Sequence, residues 1–441
     1  MRFFIKSYGC QMNLYDSQRM CDALTSAGHR ISPSARGADV VILNTCSIRE
    51  KADEKIFSDL GRLKSIGEES SENFMIIIVG CMAQLRSRDI IRRAPYVDAI
   101  LGPQDIHLIA EIVDDAAKNR RLDAIVSTSQ DAENKFAQLS DKFVDRNVSE
   151  FLTIQEGCDK FCTYCIVPHT RGREFSRSVS EIVDEANKLI SAGVKEITLL
   201  GQNVNSYAGK GLDGKKCDLA GLLFELAKID GLKRLRYTTS HPKNVNESIA
   251  EAHGDIEILM PFLHLPVQSG SDDILRRMNR KYTCDEYLRR IDMLRRRRPD
   301  IAFSSDFIVG FPGETDDDFR RTLDLIKKVE YAQAYSFKYS PRPNTVAARM
   351  DDQVPENIKS ERLQILQNLL NEQQLKFNQN SVGRRLNVLF TKSGKHKKQL
   401  VGRSEYSQAV SAYVDGVSVG DIVKVKITEA VSHSLLGTVE P

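Results

Sequence analysis

Twice along this chain, short runs of β-branched and aromatic residues alternate with longer amphipathic stretches, a pattern that restricts the fold to parallel sheets with helices packed on them. From residue 1 to about 130 the runs are FFIKSY, ADVVIL and MIIIV, and a helix is expected after the first, from about Leu14 to Ala27. A cysteine follows each run: Cys10, Cys46 and Cys81. The carboxyl ends of parallel strands share one edge of a sheet, where ligands collect, so these distant thiols are expected to meet in space.

The second alternation runs from Phe151 to about residue 343, with strands expected near FLTIQE, EITLLG, RLRYTT, ILMPFLHL, FSSDFIVG and AYSFKY, and helices such as 178–191 and 315–329 between them. Six βα units are fewer than the eight of a closed TIM barrel, which predicts a partial barrel with a lateral opening. A helix from about Pro355 to Gln379, with Ile358, Leu363, Ile365, Leu366, Leu369 and Leu370 on its apolar side, is expected to close that domain. The polar stretch 130–150 reads as a connector. Beyond Arg384, short strands broken by Gly394, Gly402, Gly416, Gly420 and Gly437 read as a small all-β barrel. The expected fold class is therefore α/β: an N-terminal parallel-sheet domain over 1–130, a central partial (βα)6 barrel over 144–380 and a C-terminal β-barrel over 381–441.

A length of 441 residues suits two or three such domains. No apolar run approaches the roughly 20 residues a membrane span requires. The start, MRFFIKSYGC, lacks the apolar stretch of a secretory signal, so a cytoplasmic location and no membrane partner are expected. The net charge is only +3, but residues 384–441 hold nine Lys or Arg against five Asp or Glu, which makes this segment the place for a polyanionic partner. Nine cysteines in a chain of this kind point to metal or catalytic thiolates rather than to disulfides.

The sharpest motif is EGCDKFCTYCIVPHTRGR, with Cys158, Cys162 and Cys165 at C-x3-C-x2-C spacing just after the first strand of the second alternation. Three thiolates on one tight loop can hold three irons of a [4Fe–4S] cube and leave the fourth open to a small chelating ligand. Zinc is the alternative, with His169 as a fourth ligand, yet structural zinc normally takes two separated pairs and no second pair stands nearby. For Cys10, Cys46 and Cys81 the alternative is a set of buried core thiols. Three cysteines at successive strand ends, two of them flanked by Gly, favour a second cluster site. Cys21, Cys217 and Cys284 lack partners and read as structural.

The C-x3-C-x2-C loop with Tyr164 before its last cysteine, opening a six-unit βα barrel, resembles the radical S-adenosylmethionine superfamily. That resemblance implies an open iron that binds the amino and carboxylate groups of S-adenosylmethionine, and reductive cleavage to a 5′-deoxyadenosyl radical. The strand-end cysteines narrow the resemblance to the methylthiotransferases, and GCQMNLYDS, Gly9 to Ser17, is similar to the branch that modifies N6-isopentenyladenosine in tRNA. NTCSIRE, VGCMAQ, LLGQNVNSY, LHLPVQSGS, DFIVGFPGET and FKYSPRP extend the resemblance over nearly the whole chain. It implies two [4Fe–4S] clusters, one on Cys158, Cys162 and Cys165 that makes the radical and an auxiliary one on Cys10, Cys46 and Cys81 that bears the sulfur. One S-adenosylmethionine would methylate that sulfur, a second would be the radical source, and the methylthio group would pass to C2 of the adenosine 3′ of the anticodon. The C2–H bond is strong and not acidic, so a radical route is needed.

Gln268, Ser269 and Asp306 are candidates for the S-adenosylmethionine pocket, because active sites of βα barrels lie at strand ends. His264 within LHLP reads as a structural strand histidine. The C-terminal segment ending in ITEAVSHSLLG resembles the TRAM module, an RNA-binding β-barrel, in which Arg384, Arg385, Lys392, Lys395, Lys397 and Lys398 are candidates to follow a phosphate backbone. The RRRR run at 295–298 reads equally well as a helix end favoured by the dipole. With no flavin or dinucleotide fingerprint, electrons are expected from a flavodoxin-like or ferredoxin-like reductase system, and the chain is expected to be a monomer. The competing readings are a sister methylthiotransferase acting on N6-threonylcarbamoyladenosine or a ribosomal protein, and a noncatalytic, zinc-containing RNA-binding protein. Two residues depart from the pattern: Gln18 where an acidic residue is usual, and Asn344 where Gly is usual. Asn tolerates a left-handed backbone, so the turn at 344 is expected to survive.

Overall fold

The first alternation folds into β1 (Arg2–Ser7), α1 (Gln11–Ser26), β2 (Arg30–Ile31), β3 (Val40–Thr45), α2 (Glu50–Glu69), β4 (Met75–Gly80), α3 (Cys81–Arg93), β5 (Ala99–Leu101), α4 (Ile109–Lys118) and β6 (Ile125–Ser127). The computed structural model describes every residue except 47–49, 70–73, 119–123, 141 and 440–441. The strands form one sheet in the order β2-β1-β3-β4-β5-β6, parallel at every pairing. Val40 to Leu43 and Met75 to Val79 are apolar without alternation because helices cover both faces of the sheet. Val40, Ile42, Ile77 and Val79 meet Met20, Leu24, Ile109 and Val113 on one side. Val41, Leu43, Ile76 and Ile78 meet Ile56, Leu60, Met82 and Ile90 on the other.

Residues 130–150 are more than a connector. They contain α5 (Ala132–Ala137), whose N-cap Asp131 accepts a hydrogen bond from the Asn134 amide. The residue this helix buries most deeply is Lys135, and a buried lysine carries no apolar periodicity to read.

The second alternation begins with β7 (Ser149–Thr153), β8 (Gln155–Glu156), α6 (Val167–Arg171), β9 (Phe175–Ser176), α7 (Val179–Ser191) and β10 (Glu196–Leu200). A small hairpin follows, β11 (Ala208–Lys210) and β12 (Lys216–Asp218), then α8 (Leu219–Ala227), β13 (Arg234–Tyr237), α9 (Glu247–Asp255) and β14 (Phe262–His264). The series ends with α10 (Asp272–Arg277), α11 (Cys284–Arg297), β15 (Ala302–Val309), α12 (Asp316–Val329) and β16 (Gln333–Lys338). Serine and threonine fix the helix starts: Ser178 with Glu181, Thr283 with Glu286 and Thr315 with Asp318 form reciprocal caps. Two parallel runs, β7-β10-β13 and β14-β15-β16, are joined by a bridge between Leu235 and Leu259. Among the described residues no pairing joins β7 to β16, so the barrel is partial, as the unit count implied.

In the long helix α13 (Glu356–Gln379), Leu366 and Leu370 are buried and Leu363 and Leu369 pack against the core, as the apolar pattern implied, but charged residues join them. Its buried face is Lys359, Arg362, Leu366, Leu370 and Asn378, while Ile365 is 43% exposed. Arg362 earns an inward position by pairing with Glu314 at 2.8 Å. Five strands, β17 (Arg385–Ser393), β18 (Gln399–Ser404), β19 (Ala409–Tyr413), β20 (Ile422–Val431) and β21 (Ser434–Val439), then close a barrel in the order β17-β18-β19-β21-β20. It packs on the amino ends of the central strands: Arg234 donates to the carbonyls of Arg403 and Asn387 at 2.8 and 2.6 Å, and Arg236 to that of Ser404 at 2.9 Å. Among the described residues no helix is long and apolar enough to cross a membrane.

Candidate metal centres

β1, β3 and β4 are neighbours in the sheet, so Cys10, Cys46 and Cys81 come to three adjacent strand ends. Their approach requires glycine. Gly9 has φ +106°, and a Cβ there would lie 2.2 Å from the Cys46 Cβ. Gly80 has φ +100°, and a Cβ there would lie 2.5 Å from the Thr45 carbonyl oxygen. Cys10 caps α1 and Cys81 opens α3, where free N–H groups and the helix dipole favour a thiolate. The hydrogen bond with Cys46, helped by the charge of Arg171, draws the Cys10 thiol down to about 6 against the opposing effect of burial. Burial pushes Cys81 up, and Arg171 beside it pulls the other way.

The amide of Asn13 ties this corner together. It donates to the carbonyls of Tyr8 and Thr45 at 3.0 and 2.8 Å and to Asn44 Oδ1 at 3.1 Å. Its own Oδ1 accepts from Cys10 Sγ and from Arg171 Nη2, both at 3.4 Å. Ser47 to Arg49 of the NTCSIRE segment lie outside the described residues.

Cys158, Cys162 and Cys165 sit on the loop between β8 and α6. Gly157, at φ +73°, starts the loop where any Cβ would meet the Arg173 carbonyl oxygen at 1.9 Å. Phe161 holds φ +48° at the crest and is 58% exposed. Backbone contacts from four directions fix the loop: the Cys158 amide donates to Gly172 at 3.2 Å, the Thr163 amide to Met278 at 3.1 Å, the Ala347 amide to Thr163 at 2.9 Å and Asn279 Nδ2 to Phe161 at 2.9 Å. Arg280, buried, lies 3.6 Å from Cys162 Sγ and 3.4 Å from the Tyr164 hydroxyl while donating to the Pro266 carbonyl at 2.6 Å. Burial pushes Cys158 up to about 11 and Cys165 up to about 12. A metal that binds them displaces those protons.

Three thiols at each locus are the donor type a [4Fe–4S] cube takes, each thiolate on a separate iron, and among the described residues no group of three or more His, Cys, Asp or Glu is arranged to hold a single metal ion. His169 is exposed on α6.

At the strand ends, Gln268 has φ +78° and its backbone bridges Asp306 and Ile308, at 2.9 and 3.0 Å. The Ser269 hydroxyl is buried against Thr322 Oγ1 at 3.4 Å and accepts from the Ser271 amide at 3.2 Å. Leu263, Phe303 and Phe307 pack outward on helices, so the alternation turns His264, Ser304 and Asp306 to the concave side. There His264 reaches Ser304 Oγ at 2.9 Å and Asp306 at 3.5 Å. A cleft of about 440 Å³ between β1, α1 and β7, which includes Gln18, contains none of the six cysteines of the two sets.

Beside the strand-end cysteines lies a buried charge cluster that sequence patterning did not reveal. Lys135 bonds Asp16 and Glu156, each at 2.8 Å. Arg171 bonds Asp16 at 2.8 Å and pairs closely with Glu156. Asp16 comes from the GCQMNLYDS segment, Glu156 immediately precedes Gly157, and Arg171 opens the RGR that ends the cysteine motif. Charge density gives no signal for it: Asp16 is the one charged residue of GCQMNLYDS, and the cysteine motif is charged no more than the chain as a whole. The RRRR run resolves as a helix end: Arg295 donates to the Val329 carbonyl at 2.6 Å, Arg297 pairs with Glu247 at 2.9 Å and Arg298 with Asp300 at 3.1 Å. Asn344 holds φ +66°, the backbone expected of it.

Comparison with known proteins follows this three-part build. Residues 2–102 match an uncharacterized protein family, UPF0004, residues 152–326 the Radical SAM superfamily and residues 379–439 the TRAM domain. The tRNA-2-methylthio-N(6)-dimethylallyladenosine synthases of Bartonella tribocorum and Agrobacterium fabrum are each 52% identical, over 99% of this chain and 96% and 97% of theirs. The chain belongs to the tRNA-2-methylthio-N(6)-dimethylallyladenosine synthase family. Members of this family are radical S-adenosylmethionine transferases, and that membership implies a [4Fe–4S] cluster and S-adenosylmethionine. Among solved structures, the radical S-adenosylmethionine methyltransferase TsrM from Kitasatospora setae covers 79% of this chain and 74% of its own at 14% identity, with a TM-score of 0.57. The radical enzyme OxsB covers 83% and 56% at 11% identity, with a TM-score of 0.54. These two share the fold.

Proposed function

We propose that this chain carries two [4Fe–4S] clusters, on Cys158, Cys162 and Cys165 and on Cys10, Cys46 and Cys81, and converts N6-(dimethylallyl)adenosine beside the tRNA anticodon to its 2-methylthio derivative. The observation that supports this reading is a buried charge cluster in which Asp16, from the Cys10 segment, pairs with Arg171, and Arg171 with Glu156, the two residues that flank the Cys158 loop. The family of its relatives favours this substrate over those of the sister enzymes.

When bound, the first cluster supplies the electron that cleaves S-adenosylmethionine and the second supplies the sulfur. The chain's own residues orient these events. The backbone bonds to Met278, Gly172 and Ala347 hold the Cys158 loop at the carboxyl end of the barrel, and Arg280 fixes Cys162. Gln268, beyond the end of β14, and Asp306, within β15, bind S-adenosylmethionine in this reading, with Ser269 holding the Gln268 loop to Thr322. Met12 and Tyr15 of α1 pack with Leu200 at the end of β10, and Cys10 lies against that group, which draws the auxiliary site to the mouth of the barrel. The work divides among residues 1–130, 144–380 and 381–441. In the last, Arg384, Arg385, Lys392, Lys395 and Lys397 are exposed toward an RNA phosphate backbone, and Lys398 shares its charge with Asp415 at 2.6 Å. Electrons come from a flavodoxin-like or ferredoxin-like reductase, and the enzyme acts as a cytoplasmic monomer.

The test is the iron and sulfide content of anaerobically reconstituted protein beside Cys158→Ala/Cys162→Ala/Cys165→Ala. About eight irons falling to about four supports two cubes. About four falling to none removes the N-terminal site and the sulfur insertion that depends on it. Nucleoside analysis of tRNA from cells lacking and expressing the chain then identifies the base: a methylthio group on threonylcarbamoyladenosine in place of dimethylallyladenosine would overturn the substrate.

A further inference from the structure

We propose that Arg171 completes the auxiliary site from the neighbouring domain and, as a fixed positive charge, raises the reduction potential of the cluster held by Cys10, Cys46 and Cys81. This rests on the two-cluster reading above.

Arg171 belongs to α6, on the chain that has just left the Cys158 loop, yet its guanidinium reaches into the corner of the first domain. It is 2% exposed. Asp16 at 2.8 Å and Glu156 grip it. Its Nη2 and the Cys10 sulfur converge on one oxygen, Asn13 Oδ1, each at 3.4 Å, and its charge also acts on Cys81. Cys10 is therefore one shared partner away from a guanidinium that no working pH discharges, and Cys81 feels the same charge. Gln104 fixes the same turn by donating to the Arg171 carbonyl at 3.0 Å, so the side chain is anchored at both ends.

A cube held by three thiolates is anionic and becomes more so on reduction. A buried cation beside two of those sulfurs stabilises the reduced form preferentially, and low local polarity strengthens the effect. Lys135, Arg171, Asp16 and Glu156 sum to zero, so the cluster of charges is balanced before any cofactor binds. What distinguishes Arg171 from Lys135 is its placement on the cysteines. The site is also incomplete in the first domain alone, because its cation comes from the second.

The experiment uses the Cys158→Ala/Cys162→Ala/Cys165→Ala full-length protein, so that only the auxiliary cluster reports, in a mediated redox titration followed by electron paramagnetic resonance. Arg171→Gln with Glu156→Gln removes one charge of each sign and keeps the Lys135–Asp16 pair, which protects the fold. Arg171→Lys keeps the charge. We expect the double variant to hold its irons and to shift to a more negative midpoint, by tenfold or more in the reduced-to-oxidised ratio at fixed potential, about 59 mV for one electron. Arg171→Lys should recover most of that shift. Loss of the cluster from the double variant with retention in Arg171→Lys also supports a role for the charge. Unchanged midpoints in both variants, or loss of iron from both, overturns the proposal and leaves Arg171 structural. A starting protein without iron sinks the two-cluster reading itself, and the inference with it.

Discussion

His253 shows how a single buried side chain writes a pH dependence into the molecule. It is fully buried on α9, hydrogen-bonded to Tyr237 at 2.7 Å, and burial, with Arg298 nearby, lowers its pKa from 6.5 to about 3. The neutral form is the one the fold accommodates. Above about pH 6.5 both folded and unfolded states are neutral and its contribution is fully present; as pH falls below that value the unfolded chain takes the proton first, and stability is lost progressively toward pH 3. The slope is at most about 1.4 kcal/mol per pH unit for this one group. Urea midpoints at pH 7 and pH 5.5 should drop less in His253→Gln than in the wild type, and equal drops would show that His253 does not titrate with unfolding. Asn344 makes the complementary point: its left-handed backbone was expected from the glycine usual at that place and from asparagine's tolerance of such a backbone, because φ is a local property.

At the scale of elements, capped helices and apolar strands were legible, and helix faces were less so. Serine or threonine followed three residues later by Glu or Asp marks the starts of α7, α11 and α12 because the cap is a contact within one turn. In α13 the inward face includes Lys359 and Arg362, which an apolar count assigns to solvent, and Ile365 faces out. Leu366→Ala should lower stability by about 2–5 kcal/mol. Ile365→Ala should change it by no more than about 0.5 kcal/mol. Denaturant unfolding of the two variants separates these faces, and comparable losses would reverse the assignment. The short α5 escaped notice for a related reason, since a paired lysine stands among its three buried residues, beside Ala132 and Phe136.

Across the whole molecule, buried charge is the device that joins the parts. Besides the cluster at Arg171, Arg236 pairs with Glu196 at 2.9 Å and donates to Ser404 of the C-terminal barrel, with Arg234 3.8 Å from the same carboxylate. Removing one partner of a buried ion pair costs about 3–5 kcal/mol when the other is left uncompensated; Arg234 at 3.8 Å and the Ser149 hydroxyl at 2.8 Å still face Glu196, so the loss of Arg236 falls below that range. Arg236→Met should therefore lower the thermal midpoint and make the link between α13 and β17 a site of early proteolytic cleavage. An unchanged midpoint and fragment pattern would show that the apolar seam of Phe262, Ala302 and Ala332 holds the barrel without it.

The sequence by itself determined the parallel sheets, the partial barrel, the closing β-barrel and the six cysteines at two loci, because periodicity, strand ends and loop spacing are local or nearly so. Only the tertiary structure decided which charges go inside. Asp16, Lys135, Glu156 and Arg171 look like solvated surface residues in a linear reading. Each is buried because partners far along the chain, 119 residues apart for Asp16 and Lys135 and 155 for Asp16 and Arg171, satisfy it there. A buried charge is tolerated only when paired, and the pairing exists only once the domains have met.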